Sequence, residues 1–240
     1  MVNKVSFVIP VYNEEQNLAA LVTEIFQVME KLSYPFEILF VDDGSIDRSL
    51  QILKELAATR SQIKYLSLAQ RCGQSAALGC GFQAASGDVI VTMDADLQND
   101  PADLEHMFKF YGDYDMVTGW RFNRQDSWSK KIGSKIGNRF RNWLTHEQIH
   151  DTGCSLKIMR ADMLKQIRLF KGLHRFLPTL MRLEGARVIE VKVNHRPRRH
   201  GESKYSNWRR GIEGFNDVLA VRWMIKRSTP VQIKERHVEN

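Results

Sequence analysis

The stretch Val89-Ile90-Val91-Thr92-Met93-Asp94-Ala95-Asp96-Leu97-Gln98 joins an apolar run to two aspartates that flank one small residue. A short apolar run bounded by polar residues predicts a buried β-strand, so both carboxylates should follow at its carboxyl end. Carboxylate oxygens are hard ligands for divalent cations, and a cation with few protein ligands keeps positions open for phosphate oxygens. The stretch therefore predicts a divalent-cation site, although Asp-x-Asp also occurs in solvated turns.

Strand and helix patterns alternate over the first hundred residues. The β-rich run 5–12 ends near Pro10, and further strands are predicted at 37–41, 63–68 and 88–93. Helical spacing follows the first two strands and a small-residue helix is predicted over 73–85. The apolar positions with helical spacing are Leu18, Leu21, Val22, Ile25, Leu50, Ile52, Leu53 and Leu56. Repeated βαβ units predict an α/β fold with a mostly parallel sheet.

Three polar clusters lie where predicted strands end, at 10–14, 42–45 and 94–98. Open parallel sheets bind their ligands at the carboxyl ends of the strands. We therefore expect the three clusters to meet at one edge of the sheet and to form one binding site there.

Taken together, the three clusters resemble the motifs of inverting family-2 glycosyltransferases of GT-A fold. They read Pro10-Val11-Tyr12-Asn13-Glu14, Asp42-Asp43-Gly44-Ser45 and Asp94-Ala95-Asp96-Leu97-Gln98. Within that family, residues 151–157 (Asp-Thr-Gly-Cys-Ser-Leu-Lys) and 198–205 (Arg-Arg-His-Gly-Glu-Ser-Lys-Tyr) resemble the polyprenol-phosphate sugar synthases, of the dolichol-phosphate mannose or bacterial undecaprenyl-phosphate type. The resemblance covers about residues 4–208. It implies a Rossmann-like, mostly parallel central sheet flanked by helices.

The resemblance also implies a donor site for a nucleotide sugar, either UDP- or GDP-linked. Asp94 and Asp96 would hold Mg²⁺ or Mn²⁺ on the diphosphate, with Gln98 either as a further ligand or as a residue that supports the ligands. Asp42 would bind the nucleoside, and the remaining donor contacts would come from Pro10, Tyr12, Glu14, Ala95, Arg198 and Lys204. The Asp43-Gly44-Ser45 segment also has the composition of a turn that leads into a helix cap.

On the acceptor side, the resemblance implies transfer to a polyprenyl phosphate. Arg121 matches a basic position that contacts phosphate, and Lys130, Lys131 and Ser134 occupy the region where the family binds the lipid phosphate. Asp96, Asp151 and Arg121 are the candidate catalytic residues. A hydroxyl acceptor would need Asp151 as a general base, whereas an ionised phosphate attacks C1 directly.

Two other functions stay open at this point: transfer to a hydroxyl acceptor and a non-catalytic nucleotide-sugar-binding module. A processive polysaccharide synthase is disfavoured, because the nearest match to its Gln-x-x-Arg-Trp motif, over 219–223, lacks the Gln. The three cysteines are too scattered for a disulfide framework, so we expect them to be small buried residues in a reducing compartment.

Charge is distributed unevenly between the two halves of the chain. Residues 1–119 carry a net charge of −9 and residues 120–240 a net charge of +16. A basic second half fits phosphates or an anionic membrane surface. Nucleic acid would also be attracted, but the basic stretch 120–145 contains no recognised nucleic-acid motif, so we predict no nucleic-acid partner.

The C-terminal part has the pattern of an amphipathic helix over 207–227. Apolar residues recur at steps of three and four and cations flank them, which is typical of a helix lying in a membrane surface or packed on its own domain. The apolar stripe consists of Trp208, Ile212, Phe215, Leu219 and Trp223. We predict a catalytic domain over 1–206 and an interfacial helix with a polar tail over 207–240.

The sequence predicts a cytoplasmic protein attached peripherally to the inner face of the membrane. The apolar run near the N-terminus is interrupted by Ser6 and Pro10, unlike an export signal. No stretch approaches the roughly 18 apolar residues needed to span a bilayer. The family often continues into transmembrane helices here, whereas this chain breaks at Ser228-Thr229-Pro230, so peripheral attachment or a separate membrane protein should replace them.

Overall fold

A computed structural model describes residues 2–122, 142, 144, 149–168, 170–197 and 207–229 of the chain. Its centre is one seven-stranded sheet with helices on both faces. The strands are β1 (Val5–Val11), β2 (Phe36–Asp42), β3 (Ile63–Ser67), β4 (Val89–Thr92), β5 (Met116–Arg121), β6 (Lys157–Arg160) and β7 (Val188–Val193). Their order across the sheet is β3-β2-β1-β4-β6-β5-β7.

The sheet is parallel except at one strand. β1 pairs in parallel with β2 and β4, β2 with β3, and β5 with β7, whereas β6 runs antiparallel between β4 and β5. The six parallel strands therefore end at a common edge, called the catalytic edge below. Because β6 runs the other way, the loop that precedes it also reaches the catalytic edge.

The helices cover both faces of the sheet. They are α1 (Leu18–Leu32), α2 (Ser49–Thr59), α3 (Gln74–Ala84), α4 (Asp103–Met107), α5 (Ala161–Leu164), α6 (Leu177–Leu183) and α7 (Asn207–Arg227), with a 3₁₀ turn at Leu173–Phe176. Phe7 and Ile9 of β1 pack into the core under α1, whereas Val8 faces the core under α3 and α6. Central strands buried on both faces explain the near-continuous apolar runs in the sequence.

The structure confirms the predicted α/β fold and the elements of the first half. The four predicted strands occur within two residues of their expected bounds, and the helix predicted at 73–85 is α3. The prediction that all three cysteines are buried was wrong for two of them. Cys154 is buried, but Cys72 and Cys80 are exposed, because they lie on a surface loop and on the outer face of α3.

Helix α7 has one face on the protein and one in solvent. Val218 and Val221 are buried in the core shared with α3 and α6. Phe215, Leu219 and Trp223 are 49%, 44% and 62% exposed. Among the described residues, no helix has the length and apolar character needed to cross a bilayer. The division at residue 206 stays a prediction.

At the opposite edge of the sheet, Glu37 is a buried structural anion. It accepts bonds from Lys4 Nζ at 3.0 Å, Lys64 Nζ at 2.7 Å and Ser6 Oγ at 2.7 Å. Burial alone would raise the pKa of Glu37, but these donors and the backbone N–H of Ser86 lower it well below its usual range. The native state therefore favours the ionised carboxylate.

We expect Glu37→Gln to lower the free energy of unfolding by about 3 kcal/mol at pH 7, since it leaves two lysines without their buried partner. A depressed native pKa stabilises the fold above the unfolded pKa, so the difference from wild type should shrink as the pH falls below 4.5. Urea unfolding at several pH values measures this. Glu105→Gln, in an exposed pair with Lys31, is the control and should change stability by less than about 1 kcal/mol; equal effects of the two variants would contradict the prediction.

Candidate active site

The first two polar clusters meet at the catalytic edge, as the sequence predicted. The N–H of Asp43 donates to the carbonyl of Val11 at 2.8 Å, which joins the ends of β1 and β2. The N–H of Asn13 donates to Ser45 Oγ at 3.0 Å, and the N–H of Ile46 donates to Asn13 Oδ1 at 2.9 Å. Asn13 has a φ of 54°, a left-handed conformation that asparagine tolerates better than most residues. These reciprocal bonds fix the two loops against each other.

The residues predicted for the nucleoside surround this junction. Pro10 lies in β1 opposite Val41, and Tyr12 directly follows that strand. The N–H of Glu14 donates to Ser49 Oγ at 2.9 Å, at the start of α2. The Asp42 carboxylate is buried and accepts from the Ser45 N–H at 3.2 Å and from the hydroxyl of Ser67 at 3.1 Å. Asp42 thus shapes the loop that it belongs to, and its contact with a nucleoside stays a prediction.

A third loop, residues 70–73, closes on the same junction. Asp43 accepts from the N–H groups of Cys72 at 2.7 Å and Gly73 at 2.9 Å. Gly44 has a φ of +69°, and a Cβ there would lie 2.9 Å from the backbone nitrogen of Arg71. Glycine therefore permits the close approach of the two loops. The Arg71 guanidinium then lies 4.1 Å from the centre of the Tyr12 ring. The sequence motifs gave no role to Arg71, which lies at this junction.

Asp94 and Asp96 follow β4 and form the acidic centre of the site. Asp94 Oδ1 accepts from Gln74 Nε2 at 2.9 Å, at the first residue of α3. Asp96 Oδ1 accepts from the Gln98 N–H at 3.1 Å across a tight turn in which Leu97 has a φ of 60°. The side chain of Ala95 is buried in the core under α1, so a donor contact at this position would come from the backbone.

The acidic centre has the electrostatics of a cation site. Burial, and next the charge of Asp96, raise the pKa of Asp94. A buried carboxylate whose ionisation is disfavoured by a neighbouring carboxylate suits a divalent cation, which stabilises its charged form. In the described part of the chain, no third His, Cys, Asp or Glu joins them in a group. A cation here would therefore take other ligands, such as an amide oxygen, water and phosphate oxygens.

Gln98 lies where the sequence predicted a further ligand. Its backbone carbonyl accepts from the Arg196 N–H at 2.9 Å, and its Nε2 donates to the Arg196 carbonyl at 3.5 Å. Arg196 is held in turn by Glu24 at 2.6 Å and Asp100 at 2.7 Å. The turn after the acidic centre is thereby tied to the segment that follows β7.

Arg121 and Asp151 form a buried ion pair next to the acidic centre. Arg121 Nε and Nη2 donate to the two carboxylate oxygens of Asp151 at 2.7 and 2.9 Å. Their side chains are 15% and 7% exposed. Burial would lower the pKa of Arg121, but the bonds and charge of Asp151 raise it above its usual value. A carboxylate in two charge-assisted bonds is a weak proton acceptor, which disfavours Asp151 as a general base.

Lys157, the last residue of the Asp151 motif, is a site residue to which the sequence assigned no role. It is 3% exposed, and its Nζ donates to the carbonyl of Cys154. Burial lowers the pKa of Lys157. Asp94, Asp151 and Arg121 are among the charges that act on Lys157. The buried lysine therefore interacts electrostatically with the site.

Five predicted site residues lie outside the described residues. These are Lys130, Lys131, Ser134, Arg198 and Lys204. The other predicted site residues come together at the catalytic edge, in a line that follows the order of the strands. The nucleoside residues lie at β1 and β2, the acidic centre at β4, and the Arg121–Asp151 pair at β5 and the loop before β6.

The chain matches one protein-family model and several known proteins. The model of the glycosyl transferase family 2 matches residues 6–168. An undecaprenyl-phosphate 4-deoxy-4-formamido-L-arabinose transferase from Aeromonas hydrophila is 38% identical over 84% of this chain and 62% of the relative. A dodecaprenyl-phosphate galacturonate synthase from Rhizobium johnstonii is 37% identical over 93% of this chain and 68% of the relative. The chain thus spans under two thirds of the first relative and about two thirds of the second.

Solved structures show the same fold. A glucosyl-3-phosphoglycerate synthase from Mycobacterium tuberculosis, crystallised with Mn²⁺, UDP and phosphoglyceric acid, superposes with a TM-score of 0.69 at 18% identity. That match covers 95% of this chain and 80% of the synthase. A structure of S. aureus TarS superposes with a TM-score of 0.60 at 18% identity, over 95% of this chain and 67% of TarS. At such identities the likeness concerns the fold, and it confirms the GT-A expectation.

Proposed function

Because this chain belongs to glycosyl transferase family 2, we propose that it transfers a sugar from a nucleotide sugar to a polyprenyl phosphate, with inversion at C1. The observation that carries the proposal is the buried pair of Arg121 and Asp151 beside the acidic centre. The names of the two relatives, both transferases of polyprenyl phosphates, agree with it.

The ion pair favours an acceptor that needs no base. A hydroxyl acceptor must lose a proton as it attacks, and the candidate base, Asp151, is engaged by Arg121 at 2.7 and 2.9 Å. A phosphomonoester has its second pKa at about 6 and is largely ionised at neutral pH. Its oxygen is already a nucleophile, so the reaction requires no general base. The positive charge of Arg121 can instead bind the negatively charged phosphate.

The donor follows the line of the strand ends. Its nucleoside would lie at Tyr12, Arg71 and Asp42, and its diphosphate at Asp94 and Asp96, which with Gln98 would hold Mg²⁺ or Mn²⁺. Bound there, the cation would supply positive charge to the leaving diphosphate. The proposed donor is either a UDP- or a GDP-linked sugar.

The reaction is a single displacement. An oxygen of the acceptor phosphate forms a bond to C1 as the bond from C1 to the diphosphate breaks, and the electron pair of that bond leaves on the nucleoside diphosphate. No proton is transferred in the step. Attack opposite the leaving group inverts the anomeric centre, so an α-linked donor gives a β-linked lipid product.

A comparison of acceptors tests this proposal. We expect release of nucleoside diphosphate with a polyprenyl phosphate and Mn²⁺, and a rate lower by at least about 100-fold with the same polyprenol lacking phosphate. The thermal-shift response to a panel of UDP- and GDP-sugars selects the donor beforehand. Faster release with the free alcohol or with soluble sugars would favour the hydroxyl-acceptor alternative. Binding of a donor without any transfer would favour a non-catalytic module.

We also propose that α7 lies in an anionic membrane surface and brings the site to the lipid phosphate. Its exposed Phe215, Leu219 and Trp223 recur at four-residue steps, while Val218 and Val221 anchor the helix to the protein. Lys226 and Arg227 in its last turn add positive charge. Aromatic and aliphatic side chains with adjacent cations are the composition of an interfacial helix. This supports a peripheral protein on the cytoplasmic, inner face of the membrane.

Vesicle flotation tests the attachment. The triple variant Phe215→Ser, Leu219→Ser and Trp223→Ser should bind anionic vesicles at least about 10-fold more weakly than wild type, because each side chain contributes roughly 1 kcal/mol or more of apolar burial. Wild-type binding should also weaken with salt. Tyr65→Ser, at an exposed aromatic residue of the edge strand β3, is the control. Unchanged binding of the triple variant would instead assign this face of α7 to a separate membrane protein or to no partner.

A further inference from the structure

The loop 150–156, called the Asp151 loop below, carries the acidic member of the ion pair and is held from beneath by buried side chains. Thr92 of β4 donates from Oγ1 to the carbonyl of Ser155 at 2.7 Å. Lys157 of β6 donates from Nζ to the carbonyl of Cys154. Polar side chains from neighbouring strands therefore bond to the backbone of one loop.

Glu190 of β7 holds the other end of the same loop. Its carboxylate accepts from the N–H of His150 at 2.8 Å and from the N–H of Asp151 at 2.9 Å. It also lies 2.9 Å from Nδ1 of His150. The side chain of Glu190 is 11% exposed and that of His150 is 62% exposed, so the carboxylate is largely covered while the histidine ring reaches solvent.

These side chains form one row across the sheet. Thr92 pairs with Lys157, Lys157 with Thr118, and Thr118 with Glu190, across β4, β6, β5 and β7. Directly paired residues project from the same face of a sheet, so the row lies together under the loop. Four adjacent polar positions in a sheet whose buried residues are mostly apolar need a reason other than core packing.

Stability alone does not account for Lys157. Taking an ammonium group out of water costs several kcal/mol, and replacing buried charges by apolar residues of similar volume is often neutral or stabilising. Its Nζ contacts a loop carbonyl, and Asp94, Asp151 and Arg121 supply the charges around it. The position of Lys157 therefore serves the site, although burial of its ammonium group lowers the stability of the fold.

We propose that Lys157 and Glu190 are positioning residues. They hold the Asp151 loop so that the Arg121–Asp151 pair keeps its position beside Asp94. Lys157 fixes the loop through a carbonyl and Glu190 through two N–H groups, so the two hold opposite ends of the loop. Neither touches substrate in this proposal. The catalytic part of the inference rests on the proposed transfer, whereas the structural part does not.

The test compares Lys157→Met with a matched control, Lys165→Met. Lys165 Nζ also donates to a backbone carbonyl, that of Ala85 at 2.6 Å, but at the opposite edge of the sheet. We expect Lys157→Met to lower kcat by about 100-fold, since a misplacement of about 1 Å costs that much. Its donor KM should change by less than about three-fold, and its Tm should stay equal or rise. Lys165→Met should leave kcat unchanged.

A second readout does not depend on turnover. Amide hydrogen exchange over residues 150–156 should be faster in Lys157→Met than in wild type and unchanged in Lys165→Met. This measurement decides the structural part even if the protein transfers no sugar to a polyprenyl phosphate. If the wild-type protein were inactive with every acceptor, the proposed function would be overturned. The hydrogen-exchange data would still show whether Lys157 holds the Asp151 loop.

Glu190→Gln keeps the shape of the side chain and provides the second variant. It should speed exchange at His150 and Asp151 and lower kcat by about 10-fold or more, because a neutral amide accepts these bonds more weakly. Unchanged kcat and unchanged exchange in both variants would overturn the proposal. A lower Tm in which the loss of activity matches the fraction of unfolded protein would also overturn the proposal, because it would indicate a purely structural role. If Lys157→Met does not fold, the same readouts on Glu190→Gln decide.

Discussion

Asp96→Ala should lower sugar transfer by at least about 1,000-fold while the protein stays folded. Asp96 is buried after β4, and its charge is one of the two main causes that raise the pKa of Asp94. Without it, the proposed cation at the leaving diphosphate would lose a carboxylate ligand, and the several kcal/mol that such a cation contributes correspond to a loss of this size. Activity with Mn²⁺ and the circular dichroism spectrum of the variant measure the two parts of this expectation.

The control for this variant is Asp113→Ala, at an exposed aspartate before β5. It should retain wild-type activity. Manganese binding, followed by electron paramagnetic resonance, should weaken by at least about 10-fold in Asp96→Ala and stay unchanged in Asp113→Ala. Full transfer by wild type in excess EDTA, or by Asp96→Ala, would contradict a metal-dependent donor site at these residues.

Arg121→Ala should lower kcat by about 100- to 1,000-fold. The change removes positive charge beside the acidic centre and leaves the Asp151 carboxylate buried without its bidentate partner. Arg121→Lys should recover little of this loss, because a lysine cannot form two parallel bonds to a carboxylate. Steady-state kinetics with saturating donor give kcat for both variants. Arg160→Ala, in an ion pair with Asp115 at the opposite edge, is the control and should keep its kcat.

A double variant separates the two roles available to Asp151. If Arg121 and Asp151 act as one unit, Arg121→Ala with Asp151→Asn should be no slower than the slower single variant. Asp151→Asn alone should then lower kcat by about 10- to 100-fold, as expected for an orienting group. A loss above about 10,000-fold in Asp151→Asn alone, with a rate that rises with pH only in the wild type, would instead identify Asp151 as a general base and the acceptor as a hydroxyl.

The first half of the fold was predictable because three of its four strands, β1, β2 and β4, are buried almost throughout. Residues 5–11 and 36–42 form apolar runs that end in polar clusters, and helical periodicity separates them. The strands of the second half were not predicted. β6 has four residues, and β7 alternates polar and apolar side chains through Glu190 and Lys192. Such short or mixed segments acquire their strand structure from pairing, which a local pattern does not reveal.

The candidate site was predictable where one motif carried its residues, and not where distant segments meet. Asp94, Asp96 and Gln98 were found because they are close in sequence. The pairing of Arg121 with Asp151 crosses thirty positions, and both residues were named without their contact. Lys157 lies in the motif of residues 151–157, but the motif assigned it no role. No sequence pattern marked Glu190 as a site residue. A buried charge becomes recognisable only when the fold shows what surrounds it.

Phosphorus NMR of the lipid product shows whether the sugar is bonded to the lipid phosphate. The purified protein, Mn²⁺, the donor selected by thermal shift and a short-chain polyprenyl phosphate form the reaction. We expect the phosphomonoester resonance of the lipid to be replaced by a phosphodiester resonance coupled to the anomeric proton, in step with nucleoside diphosphate release. Nucleoside diphosphate released while the lipid phosphomonoester resonance stays unchanged would contradict it.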